Sequence, residues 1–359
     1  MKSRHSWIFL VLLFCTLTLE AQRAGLGTTT PDNSAILDIN STDMGILIPR
    51  MSSAQRLAIV SPAQGLMVYD TTLNSFCYYS GSSWKEIGRA NDTWKINGNT
   101  GNTADHFFGT TDAMPVQIRL DSLKAGIWDG ANRNYSIGVG ALDSLTTGKG
   151  NVAMGQKALF KDKTGNNNVA IGDSALLSNT VSGTVAIGSK ALRSNTTGGN
   201  NTAIGYQALM NSTTTNANTA IGYKALSANN GGYSNTAVGS DALRNNTSGF
   251  ANTALGQSAL VLNTTGAVNT SVGANALGSN TTGQANTAMG SSALAINTIG
   301  NYNVALGRQA MNDNSTGSNN TAIGYYALVS NSSGRSNVAV GINAARLNGA
   351  ANNNVAVGD

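Results

Sequence analysis

The sequence is poor in the residues that catalysis draws on. Only 11% of its 359 residues are charged, against about 25% in an ordinary soluble domain. It holds two histidines and two cysteines, and residues 245 to 307 contain no Asp, Glu, Lys, Arg, His or Cys at all. That excludes acid/base, thiol and metal chemistry from the stretch. Proline is scarce as well: Pro31, Pro49, Pro62 and Pro115 are all there are, so from residue 116 onward none interrupts a hydrogen-bonded ladder. No apolar run reaches the about 20 residues of a membrane-spanning helix. Against these absences stand 41% hydrophobic residues, enough for a core, and 42 glycines, which suit a backbone of many tight bends.

Lys2 and Arg4 precede an apolar run from Trp7 to Leu19 that ends in Leu19-Glu20-Ala21, the pattern of a secretory signal peptide cut after Ala21. Cys15 follows the bulky Phe14, which disfavours a lipid-attachment site. After cleavage only Cys77 remains, so no intrachain disulfide can form and packing must hold the fold. Its setting, Phe76-Cys77-Tyr78-Tyr79, reads as a buried strand. All four tryptophans precede residue 130 and the composition changes there. The expected organisation is a signal peptide (1–21), a β-rich module (22–90), a connector (91–130) and a repeat domain (131–359).

From Asn134 the chain repeats. One unit reads Asn201-Thr202-Ala203-Ile204-Gly205, two variable residues, Ala208-Leu209, and a polar turn to the next Asn. Fourteen glycines, from Gly138 to Gly358, mark the copies at a spacing of 17, with one step of 16. The residue before each glycine is large and apolar and the one before that is Ala or Ser. Neighbours in an extended segment face opposite ways, so each short strand has one face of large and one of small apolar side chains. Asn-Thr-Thr-Gly stretches such as Asn195–Gly198 supply turns. The leading Asn is present in every copy but that of Thr184, and stacked Asn side chains can bond from copy to copy as a ladder. A helical array is excluded by the central Gly, the Asn-rich turn and the lack of an apolar run with helical spacing. The fold is therefore all-β, a parallel β-solenoid with one coil per repeat, rising about 4.8 Å per coil. Which apolar face turns inward stays open at this point. Whichever stays outside needs a cover, and burial against further copies, best in a homotrimer, would supply it; the alternative is a solitary solenoid with a wider interior.

Units such as Asn201–Leu209 (NTAIGYQAL) and Asn320–Leu328 (NTAIGYYAL) resemble the head repeats of YadA-like trimeric autotransporter adhesins. That resemblance implies a left-handed β-roll, although the repeat here is longer than is usual in that family. Ala35–Ile39, Gly45–Met51, Gly65–Asp70, Tyr78–Trp84, then Trp94, Gly98-Asn99 and Phe108–Asp112, are similar to the leading segments of tail-fibre-like secreted surface proteins of Bacteroidota. The resemblance implies a homotrimeric fibre at the outer surface of a Gram-negative bacterium. It also implies a further C-terminal part, either a β-barrel anchor or, preferably, a self-cleaving trimerising chaperone. The sequence ends at Gly358-Asp359 inside its fourteenth repeat, as a fragment of such a protein would.

Chemistry-bearing patterns are nearly missing. His106 beside Asp105 lacks a nucleophile motif and reads as a surface or packing residue, and no metal-ligand spacing, phosphate loop or cofactor motif occurs. Lys157, Lys161 and Lys163 enclose Asp162 and read as a solvated face, not a nucleic-acid site. The threonine column Thr202, Thr219, Thr236, Thr253, Thr270 and Thr287 lacks the doubled Thr-x-Thr face of an ice-binding ladder. The expected function is therefore non-enzymatic, with no cofactor. It is either adhesion to an extracellular protein or glycan receptor or a structural spacer. The residues just after the glycines discriminate: Tyr206, Tyr223, Tyr325, Tyr326, Lys157, Lys190, Lys224 and Arg308 are the candidate contacts. Asn201, Ala203, Ile204, Gly205, Ala208 and Leu209 typify the structural columns.

Overall fold

The computed structural model describes residues 24–87 and 109–359; residues 1–21, read above as a signal peptide, and Trp94, Gly98, Asn99, His106 and Phe108 lie outside them. The chain forms two compact units, Met1–Phe108 and Gly109–Asp359.

In the first unit β1 (Ala24–Leu26) pairs in parallel with β2 (Leu37–Ile39). A second sheet takes β3 (Arg50–Met51), β4 (Met67–Asp70), β5 (Ser75–Tyr79) and β6 (Trp84–Glu86) in that order. Between β3 and β4 lies one short helix, α1 (Ser53–Leu57), begun by a capping box in which Ser52 and Gln55 satisfy each other's backbone N–H. Val68 and Cys77 face each other across β4 and β5 and are both 1% exposed, so the cysteine is a buried strand residue. The other fixed point is polar. Asp70 is fully buried and accepts from Arg56 Nε at 2.7 Å, from Ser53 Oγ, and from the Thr72 and Leu73 N–H groups. Desolvation alone would raise this carboxyl; the hydrogen bonds, that from Arg56 foremost, outweigh it and lower its pKa from 3.8 to about 2. The Arg56 guanidinium lies over the Trp84 ring, 5.3 Å from its centroid, which ties α1 to β6.

The second unit is one 16-stranded sheet. It opens with an antiparallel hairpin, β7 (Val116–Leu120) and β8 (Leu123–Asp129), and β8 runs antiparallel to β9 (Asn134–Ile137). The hairpin thereby covers the first coil's edge, which would otherwise present unpaired backbone groups. From β9 onward every neighbour is parallel: thirteen three-residue strands, β10 (Val152–Met154) through β22 (Val355–Val357), stack in strict register. Ala203 sits on Ala220 and Ile204 on Ile221, as the 17-residue spacing requires. This is the parallel β-solenoid, one coil to each repeat.

The small face turns inward. Ala203, Ala208 and Leu209 are each 0% exposed, and their equivalents form one continuous core from Ala141 to Ala344. These three side chains and two buried asparagines fill a coil and leave no room for the large column, which stays outside. Leu209 reaches the interior only because its backbone is left-handed (φ +50°), as is that of Gln207 (φ +58°) two residues before. So the second apolar pair makes a corner rather than a strand. For L-residues this region costs about 1–2 kcal/mol each, and burial of the leucine, worth about 1.5–3 kcal/mol, offsets most of that. The glycine column has a sharper cause. Gly256 has φ +140°, and a Cβ there would stand 2.6 Å from the Gly273 carbonyl oxygen of the next coil.

Two asparagine ladders close the coils. In the first, Asn252 Oδ1 accepts from the Asn269 N–H at 3.0 Å and from Asn269 Nδ2 at 3.1 Å, and the pattern recurs coil after coil. The second consists of the turn asparagines: Asn263 Nδ2 donates to Asn246 Oδ1 at 2.8 Å and Asn280 Nδ2 to Asn263 Oδ1 at 2.8 Å. Within one coil both ladders meet, because the Gly266 carbonyl accepts from Asn252 Nδ2 and Asn263 Nδ2, each at 2.9 Å. Each buried carboxamide is satisfied by the turn carbonyl of its own coil together with the asparagines of neighbouring coils, so the ladders tolerate little variation. Two faults show this. Thr184, in place of the leading Asn, leaves its Oγ1 buried without a partner. Ser212, in place of the turn Asn, leaves Asn195 Oδ1 unpartnered and bonds instead to Thr215 Oγ1. Asp162 occupies a turn-Asn position and is fully buried, accepting from the Gly165 N–H at 2.7 Å and from Asn168 Nδ2 at 3.0 Å. It belongs to the ladder, therefore, and only Lys157, Lys161 and Lys163 around it form the solvated face.

Candidate binding surface

Two outer features are available for contact. The first is the large apolar column itself: Ile137, Met154, Leu255, Met289 and Ile323 are 37–47% exposed, and Ile171, Ile187, Ile204 and Ile221 are half-buried. It runs along a parallel sheet beside the threonine column, whose members are half-buried as well.

The second is the corner after each glycine. The candidate residues occupy two columns there, not one. Tyr206, Tyr223, Tyr325 and Arg308 directly follow their glycines and are exposed. Tyr326, Lys157, Lys190 and Lys224 come one residue later, with left-handed backbones (φ +53° to +61°); Lys157 is exposed and the other three are half-buried.

Stacking in register brings most of these residues together in two places. Tyr206 and Tyr223 lie face to face, centroids 5.7 Å apart and planes 11° from parallel, and Lys224 Nζ is 5.0 Å from the Tyr223 centroid. Gln207 Nε2 donates to the Tyr206 hydroxyl at 3.2 Å. Farther along, Tyr325 and Tyr326 meet at 4.1 Å with planes tilted by 53°. Arg308 stands 5.7 Å from the Tyr325 ring centre, and Arg346 5.4 Å from that of Tyr326. The Tyr325 hydroxyl is held above its ordinary pKa by its hydrogen bond with Tyr326, so it carries no charge at neutral pH. Lys157 lies 6.0 Å from the Phe160 ring, whereas Lys190 has no aromatic neighbour of this kind among the described residues. The sequence pointed to six residues of these two groups but not to Arg346, which is 20 residues from its ring partner and so falls outside the 17-residue column. Nor did it point to the aromatic stack on another corner, Tyr233 on Phe250, at 5.1 Å and 6°.

Nothing in these places resembles a catalytic set. Among the described residues no group of three or more His, Cys, Asp or Glu is placed to hold a metal ion, and no helix is long and apolar enough to cross a membrane. What the surface offers is flat aromatic area edged by cations, together with a long apolar stripe.

Residues 25–103 match the family described as phage tail like trimerisation region. The match lies within the first unit and supports self-association as a homotrimer in a tail-fibre-like protein. No curated protein and no solved structure matches the chain.

Proposed function

We propose that the chain is a secreted, trimeric surface fibre of a Gram-negative bacterium that attaches the cell to an extracellular protein or glycan, acting by binding and without catalysis. The trimer rests on two supports. The trimerisation-region match lies at residues 25–103, and the apolar column along the solenoid keeps 37–47% exposure at several coils, where a solitary protein would favour polar residues. Secretion is inferred from the signal peptide at 1–21, and the adhesin character from the likeness of the repeats to YadA-like heads.

The observation that carries the adhesive reading is where the aromatic and cationic residues fall. The frame of the coil is constant, yet tyrosines next to cations occur at the corner in two groups only, Tyr206/Tyr223/Lys224 and Arg308/Tyr325/Tyr326/Arg346. A frame element needs neither, and exposed Tyr and Arg are the side chains most often responsible for binding energy. A trimer carries each group three times, so weak contacts sum by valency.

A structural stalk with no ligand of its own is the second reading. It is favoured by residues 245 to 307, whose coils carry no ionisable acid or base apart from tyrosine and repeat with little change. The two readings part in an adherence assay. Beads coated with the purified chain, offered to panels of cells, matrix proteins and glycans, should adhere to some surfaces if the fibre is adhesive, and should stay at the level of albumin-coated beads on all of them if it is a stalk.

A further inference from the structure

Resting on the adhesive reading, we infer that the corner formed by Arg308, Tyr325, Tyr326 and Arg346 is a binding platform for a polyuronate, a polysaccharide bearing a carboxylate on successive pyranose rings. Four observations support this chemistry.

The two guanidiniums are available. Arg308 and Arg346 are exposed, and among the described residues neither side chain makes a hydrogen bond or an ion pair; each only faces a tyrosine ring. An arginine fork with no carboxylate of its own is matched by a planar carboxylate from outside, which it takes through two parallel N–H bonds. The local balance is positive: residues 303 to 359 hold Arg308, Arg335 and Arg346 against Asp313 and Asp359.

Between the forks lies a rigid uncharged surface. The tyrosine pair is fixed by its own contact at 4.1 Å and by the cations at its ends. Tyrosine rings provide large amphipathic contact at small entropic cost, and a pyranose ring has an apolar C–H face and a rim of hydroxyls to match ring and phenol. An acid group to one or both sides of such a sugar meets a guanidinium.

The alternatives fit less well. An extended peptide binds by adding a strand to an open edge, and at this corner backbone groups are taken by the neighbouring coils: the Asn343 N–H donates to Tyr325 O at 2.9 Å and the Leu328 N–H to Ala344 O at 2.9 Å. Nucleic acid needs a track of basic residues to neutralise successive phosphates, whereas the coils just before Arg308 carry no charge over residues 245 to 307.

The ligand is a polymer because the platform has a counterpart. Tyr206, Tyr223 and Lys224 form a second aromatic and cationic group in the same corner columns. Tyr223 and Tyr325 are six coils apart, or about 29 Å at 4.8 Å per coil. A chain of several sugars along the fibre can touch both groups, and a short oligomer only one.

The test uses the full chain, with polygalacturonate as probe and amylose and poly-glutamate of similar length as controls, by surface plasmon resonance near physiological salt. The variants borrow residues that other coils already hold in the same columns: R308Q follows Gln257, Y325Q likewise, Y326N follows Asn275, and R346S follows Ser227. Mass and melting temperature should therefore stay as in the parent chain. Expected is binding to polygalacturonate that weakens at least tenfold in R308Q/R346S and in Y325Q/Y326N. Amylose and poly-glutamate should bind the parent at least tenfold more weakly, and di- or trigalacturonate should bind more weakly than the polymer. The inference is overturned if the parent does not bind polygalacturonate, if both double variants bind it as well as the parent, or if poly-glutamate binds equally. Adherence of coated beads separates this failure from that of the adhesive reading: equal adherence by parent and variants sinks the platform alone, and no adherence to any surface sinks the reading beneath it.

Discussion

Replacing Thr184 by Asn should make the protein more stable, an outcome few single substitutions share. At present the first asparagine ladder is interrupted there. The Thr184 N–H still donates to Asn168 Oδ1 at 2.9 Å, so the backbone is already in ladder position, but Oγ1 is buried and unpartnered. An asparagine in the geometry of Asn252 would accept from the N–H and Nδ2 of the next ladder member and donate to Asn168 Oδ1 and to the Gly198 carbonyl, which now receives only Asn195 Nδ2, at 2.9 Å. Relief of an orphaned buried hydroxyl is worth about 1–3 kcal/mol and each new neutral bond about 0.5–1.5 kcal/mol net. Against this stands the loss of one buried methyl, about 0.8 kcal/mol, and the ordering of a longer side chain. The balance is about 2 kcal/mol of added local stability. Since a solenoid opens coil by coil, the assay is hydrogen exchange at the Asn201 and Val185 amides, supported by guanidinium denaturation. Exchange should slow by about thirtyfold, the factor that 2 kcal/mol represents. Unchanged or faster exchange would refute the claim that the ladder holds the coils together.

Further outcomes follow from other parts of the fold. Ser212→Asn should give a smaller gain, about 1 kcal/mol, because Ser212 already bonds to Thr215; the same exchange measurement at coil 201–217 checks it. Gly256→Ala should cost at least about 3 kcal/mol from left-handed strain and collision with the Gly273 carbonyl, and should open a protease-sensitive site in the middle of the solenoid. Leu260→Ala removes a fully buried core side chain and should destabilise its coil by about 2–5 kcal/mol, read by denaturant midpoint. In the first unit, the Asp70 pKa lies below its unfolded value of 3.8, at about 2. The unfolded state therefore binds more protons between these values, and the stability this carboxylate contributes is present above about pH 4 and lost as pH falls toward 2. Arg56→Gln should move the acid transition of that unit, followed by tryptophan fluorescence, to higher pH.

Much of the architecture was legible because the repeat writes it directly. The 17-residue period, the glycine column and the alternation of small and large apolar residues identify a coil with one strand, and the leading Asn column announced the first ladder. What stayed hidden depends on the path between the columns. Whether Ala203 or Ile204 faces inward is decided by how little space the corner leaves, which rests on the left-handed backbones of Gln207 and Leu209. Both residue types usually avoid that conformation, so nothing in their identity signals it. The turn asparagines looked sufficient as turn formers, and their second role emerges only once Asn246, Asn263 and Asn280 are stacked. Asp162 was hidden among lysines for the same reason. At the surface, the contact between Tyr206 and Tyr223 follows from their spacing of 17, whereas Arg346 reaches Tyr326 by crossing from one column to another.

In the trimeric fibre proposed above, copies of the chain cover one another's apolar columns. Its most direct test is the absolute mass of the purified chain in solution, measured by light scattering during size-exclusion chromatography. The expected mass is three times that of a single chain, and the trimer should dissociate at lower guanidinium concentration when Ile204 and Ile221 are both replaced by Lys while the β-sheet circular dichroism is kept. A parent chain that elutes at its single-chain mass, 36.8 kDa for all 359 residues, would contradict it.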